Sequence, residues 1–178
     1  MALSATMRRF EMTLADSDRG VYDTLDLRVA QHPSESERYL VARLIARALE
    51  HAEGVDWSKN GLGADDEPAL WQRDLRGDLQ AWIEVGSPSP PRLHKAKKAV
   101  RRVVVYGWNR VDALAAALVE EKVYKAAEIE LFELDGAVLD AIGATLARTN
   151  AWDVAVTGGT VYLSTGAGSF ELAIRRVQ

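Results

Sequence analysis

Glu84 sits near the end of the apolar run Trp82–Val85, and from there to Asp112 the chain carries no acid. Arg92, Lys95, Lys97, Lys98, Arg101 and Arg102 follow one another through that interval. A strand carboxylate beside an uninterrupted basic segment suits phosphate chemistry. Carboxylate oxygens hold a hard divalent cation, the cation acidifies a bound water, and lysines and arginines face phosphate oxygens. The same residues have a plainer reading, as an ion-paired strand glutamate followed by a solvated amphipathic helix.

A second carboxylate would have to reach Glu84 across a hairpin. "ALWQRDL" and "LQAWIEVG" flank Arg76-Gly77, a tight-turn signal. Centring the turn there places Glu84 opposite position 69. Asp74 and Asp78 then lie roughly 15 Å or more along the ladder from Glu84 at ~3.3 Å per residue, beyond the reach of a shared ion. Glu67 is the same-face diagonal neighbour of position 69, with Asp66 beside it, so the acids of "ADDEP" are the expected partners of Glu84. Ala81, Ile83 and Val85 take the opposite, conventional core face. In the next helix Arg92, Lys95, Lys98 and Arg102 fall at neighbouring helical spacings, with Ala96, Ala99, Val100 and Val103 as a narrow apolar face.

The elements that must position these groups mix strand and helix. "ATMRRFEMTLA" and "YDTLDLRVAQH" form a hairpin around "DSDRG". Ser34 and Glu37 read as a capping box for a helix that runs to Gly54. Pro91 opens a helix ending near Arg101, "VVVYGW" is a strand buried on both faces, and "RVDALAAALVEEKVY" is a helix. "AEIELFEL" is a strand, Asp135 caps a helix, and three short strands close the chain. The class is α/β or α+β, a mixed central β-sheet flanked by helices, in one domain spanning residues 1–178.

Composition narrows the functions further. A net charge of -4 argues against a surface coated with basic charge, though not against a local basic groove. With no cysteine, disulfides, thiolate metal sites and cysteine nucleophiles are excluded. His32, His51 and His94 share no metal-binding spacing, and "GGTVYLSTGAG" is not a phosphate-binding P-loop. No apolar segment suits a signal peptide or a membrane span, so a cytoplasmic protein, monomeric or weakly oligomeric, is expected.

Several short motifs, taken together, resemble the YaeQ family. They are "HPSE" (His32 to Glu35) with Arg43 following on the helix, "DDEP" with Leu70-Trp71, "WIEVG" with Pro88, Arg92-x-x-Lys95-Ala96 and "VYGW". They occur in that family's order and cover essentially the whole chain. The resemblance implies a PD-(D/E)XK nuclease-like core. It makes Glu84 the metal ligand on the third core strand and Glu35 an accessory acid on the first helix, while the strand after Pro68 would supply the second acid.

Two positions depart from that pattern: the second acid falls at Ala69, and the lysine due two residues after Glu84 is Gly86. Asp66 or Glu67 would then supply the missing carboxylate and Lys95 the missing lysine. Three expectations stand side by side. The first is a Mg²⁺-dependent nuclease with Glu84, Lys95 and Glu35 as catalytic groups and Glu84, Asp66 and Glu67 on the metal. The second is an inactive nuclease-fold module that binds nucleic acid or a protein partner through Arg92, Lys95, Lys98, Arg101 and Arg102. The third is a structural Glu84 with function elsewhere.

Overall fold

The computed structural model describes residues 4–58 and 66–178. Asp65, the first residue of the "DDEP" motif, lies outside the described residues. The chain is of mixed α+β type and divides into two compact units: residues 1–44 with 135–174, and residues 45–134 with 175–178.

In the first unit β1 (Thr6–Asp16) and β2 (Val21–Gln31) form the expected antiparallel hairpin. Their alternation buries Phe10, Met12 and Leu14 on one strand and Leu25, Leu27 and Val29 on the other. β8 (Thr149–Thr157) pairs with β1 in parallel, and β9 (Thr160–Thr165) and β10 (Gly168–Arg176) continue antiparallel, giving the order β2-β1-β8-β9-β10. Trp152 meets Phe10 edge-on at 5.1 Å, which locks the β1–β8 pairing from its buried side. α4 (Gly136–Gly143) starts as expected, with the Asp135 carboxylate accepting from the amides of Ala137 and Val138.

α1 (Glu37–Leu49) differs at both ends from its sequence reading. Its cap is Ser36, whose hydroxyl accepts from the Tyr39 amide at 3.2 Å, while Ser34 is engaged with the His32 ring at 2.6 Å. The helix stops at Leu49, before Gly54. Gly54 instead adopts φ +79° and accepts from the Arg73 amide, seating the chain against the strand below.

That strand belongs to the second unit, whose sheet runs β7-β6-β5-β4-β3. β3 (Val55–Trp57), which hydropathy did not announce, pairs antiparallel with β4 (Leu70–Arg73), and β4 with β5 (Leu79–Val85). From β5 onward the pairing turns parallel, to β6 (Arg102–Gly107) and then β7 (Glu130–Leu134). Parallel neighbours require crossovers, and α2 (Pro90–Ala99) and α3 (Val111–Glu120) are those crossovers. They lay Leu93, Ala96, Val111 and Leu118 over Trp82, Val103, Val105 and Leu131. The face of β5 that carries Trp82 and Glu84 is therefore as covered as the Ala81, Ile83 and Val85 face. Among the described residues no helix is long and apolar enough to cross a membrane.

Candidate functional site

The hairpin arithmetic holds where it matters. Leu70 pairs with Ile83, Trp71 with Trp82 and Gln72 with Ala81, and one further step places Ala69 opposite Glu84. A bulge after Gln72 absorbs the turn, which Asp74 organises by accepting from the amides of Arg76 and Asp78 at 2.9 Å each. Asp74 and Asp78 are thus turn residues, as the ladder spacing required.

Glu84 is only 4% exposed, because α2 crosses directly above it. One oxygen, Oε1, accepts from Arg92 Nε at 2.6 Å and from Trp82 Nε1 at 2.7 Å. Ser89 caps α2, and Pro90 and Pro91 fill its first turn. That cap sets the helix phase that aims Arg92 down at the strand. Burial pushes the Glu84 carboxyl above the ordinary glutamate value, and the Arg92 and Trp82 donors oppose that shift without cancelling it. Arg92 also donates to the Glu67 backbone carbonyl, pinning the segment before β4 to the same helix.

Asp66 is brought to Lys95, and the two make an exposed ion pair. The Lys95 ammonium holds the Asp66 carboxyl below the ordinary aspartate value. Trp82, Ser89, Arg92, Lys95 and Ala96 surround a shallow hollow of about 230 Å³. Glu35 belongs to the first unit, where it is buried with Arg43: Arg43 Nε lies 3.0 Å from Oε1, and Oε2 accepts from the His32 amide. Burial raises the Glu35 pKa, with Arg43 and the His32 amide acting in the opposite direction.

As arranged, these groups do not fit a Mg²⁺ ion. Such an ion needs several oxygens at about 2.0–2.1 Å. Here the bonded oxygen of Glu84 is taken by a guanidinium, Asp66 is taken by an ammonium, and position 69 has no side-chain oxygen to offer. Among the described residues no three acid or histidine side chains converge on a point.

The remaining basic residues separate into two kinds. Arg102 is clamped by Glu50 and Glu130, and the Tyr106 hydroxyl donates to Glu50 at 2.6 Å. Burial alone would lower the Arg102 pKa, but the two carboxylates outweigh it and raise it. Lys98 and Arg101 are exposed and make no ion pair among the described residues. Sequence reasoning missed Lys97, which lies on the buried stripe Leu93-Ala96-Lys97-Val100 in place of Ala99. Its side chain is 3% exposed, donating to the Arg101 carbonyl and pairing with Glu128 at 3.1 Å. The spacing of Lys97 four residues after Leu93 was the available signal.

The comparisons with known proteins agree along the whole chain. The family profile described as YaeQ protein matches residues 1–174. This chain belongs to the YaeQ family. The uncharacterized YaeQ of Escherichia coli (strain K12) is 30% identical over 173 residues, covering 97% of this chain and 95% of that protein. The crystal structure of YaeQ from Xanthomonas axonopodis pv. citri superposes with a TM-score of 0.89 at 35% identity, covering 98% of this chain and 99% of that one. YaeQ from Pseudomonas syringae gives the same TM-score at 29% identity, covering 98% of this chain and 96% of that one. The YaeQ fold is thereby shared.

Proposed function

We propose that this YaeQ chain is a metal-independent module that binds nucleic acid through the basic face of α2, on a scaffold of PD-(D/E)XK type. The hairpin β4–β5 followed by the parallel strands β6 and β7 supports that reading of the scaffold. One observation carries the functional reading. Two of the three candidate metal carboxylates, Glu84 and Asp66, are held by basic side chains, whereas Lys98 and Arg101 face solvent with no acidic partner among the described residues.

Unpaired, exposed cations in the last turn of α2 and just beyond its end repel each other, and a phosphate backbone relieves that repulsion while releasing counterions. The net charge of -4 argues against a general attraction of the surface for nucleic acid, so binding rests on a local basic patch and is sensitive to salt. The experiment titrates labelled single- and double-stranded DNA and RNA against the full chain at about 50 and 200 mM salt, with and without Mg²⁺ or Mn²⁺. Salt-weakened binding without cleavage, further weakened by Lys98→Glu and Arg101→Glu, is expected. Metal-dependent cleavage that Glu84→Gln abolishes, or no binding to any oligonucleotide at low salt, overturns the reading.

A further inference from the structure

Where α2 ends, a hollow of about 490 Å³ opens between its last turn and the segment Tyr124–Glu128. Lys97, Lys98, Arg101 and Lys125 line it with a single carboxylate, Glu128. Glu128 is already gripped, by Lys97 at 3.1 Å and by Lys125 at 3.1 Å, so the charges of Lys98 and Arg101 stand uncompensated. The hollow is built rather than incidental. The buried Lys97 ammonium holds the Arg101 carbonyl, and the Tyr124 amide donates to His94 Nδ1 of α2 at 3.1 Å. These two bonds fix the wall that carries Tyr124 relative to the cations. Tyr124 is 44% exposed and stands outside the neighbouring buried cluster, with Lys125 Nζ 5.9 Å from the centre of its ring.

We infer that this hollow is a subsite for one nucleotide of a single strand, with a base stacked on Tyr124 and its phosphate between Lys98 and Arg101. The inference rests on the nucleic-acid reading above and deepens it. Every base offers a π-face, so stacking on tyrosine tolerates any sequence but requires an unpaired base. In a duplex those faces are already stacked, and the subsite stays unfilled. The module therefore prefers single strands and has little sequence preference.

The test measures affinity of the full chain for a single-stranded oligonucleotide and its duplex, for wild type, Tyr124→Ala and Tyr124→Phe. Tyr124→Ala should weaken single-strand binding roughly tenfold or more, while Tyr124→Phe, which keeps the ring, should not. Removing both Lys98 and Arg101 charges should flatten the salt slope of single-strand binding by about 0.7 for each phosphate no longer neutralised. Photocrosslinking of a halouracil-bearing single strand to the wild-type protein should map to Tyr124, a readout that does not depend on any variant folding. Equal affinity for both strand forms with an unchanged Tyr124→Ala, or a crosslink placed elsewhere, overturns this subsite and leaves the broader reading standing. Failure of all oligonucleotides to bind overturns both.

Discussion

Arg92→Ala is the perturbation that most directly tests the assignment of Glu84. It removes the guanidinium from a carboxylate whose side chain is 5% exposed, leaving Trp82 Nε1 to donate to it. Breaking a buried pair from one side costs about 3–5 kcal/mol, since the surviving charge stays desolvated. The 25% exposure of the Arg92 side chain and the hollow beside it admit some water, so a loss near ~3 kcal/mol is expected. For a chain of 178 residues that lowers the melting temperature by roughly 6–12 °C. Glu84→Gln should lose less, about 1 kcal/mol, because the amide oxygen still accepts from Trp82 and Arg92 still reaches solvent. The double variant should then be more stable than Arg92→Ala alone, a second change repairing the first.

The pH dependence has a definite sign. Burial already raises the Glu84 pKa above the ordinary value despite Arg92, and removing Arg92 takes away the largest opposing contribution. Between the ordinary and the raised value the folded protein holds a proton that the unfolded chain has released, so stability falls as pH rises through that window. The deficit of Arg92→Ala should therefore shrink toward mildly acidic pH. Melting curves across pH, with and without Mg²⁺, decide the matter. If Arg92→Ala is no less stable than Glu84→Gln, or if Mg²⁺ selectively raises its melting temperature, the pair is not what holds Glu84 in place and the metal reading returns.

Three further outcomes follow from other interactions. Tyr106→Phe deletes the hydroxyl that donates to Glu50 and should cost about 1–2 kcal/mol in denaturant titrations, the Glu50–Arg102 pair persisting. Gly54→Ala would place a Cβ 1.9 Å from the Arg73 carbonyl oxygen at φ +79° and should cost on the order of 3 kcal/mol or more, whereas Gly77→Ala, at φ +88° with open space around it, should cost only about 1–2 kcal/mol by the same assay. In the first unit Arg43→Ala should destabilise by about 3–5 kcal/mol at neutral pH and by less as pH falls, because Glu35 is buried with a raised pKa and can take up a proton.

What the sequence conveyed well was order along the chain; what it conveyed poorly was what comes to lie above a strand. The Arg76-Gly77 turn signal yielded the β4–β5 register, because turn chemistry and side-chain alternation are both local. The partner of Glu84 was not local. Nothing in "WIEVG" states that β6 pairs in parallel, yet that pairing obliges α2 to cross over the Glu84 face and deliver Arg92 to it. The acid-free stretch from Glu84 to Asp112 has the same explanation. Lys95, Lys97 and Arg102 find their acids in distant segments, Asp66, Glu128, Glu50 and Glu130, while Lys98 and Arg101 meet none among the described residues. Ser36 displaced Ser34 as the α1 cap because Ser34 was already bound to His32, a competition that spacing alone does not express.

Ala69 and Arg92 make sense together. Two carboxylates facing each other in a covered sheet repel unless a divalent cation sits between them, and such a site is balanced only with both acids present. With alanine opposite Glu84, a divalent ion on the single carboxylate would leave net positive charge in a place that is 4% exposed, whereas one guanidinium leaves none. Arg92 supplies that single charge and adds a bond to the Glu67 carbonyl, so it also steadies the segment that would otherwise have to bring a second acid inward. Charge balance thus favours a closed ion pair at Glu84, and it leaves the last turn of α2 and the residues just after it, where Lys98 and Arg101 meet no acid among the described residues, with charge to offer a ligand.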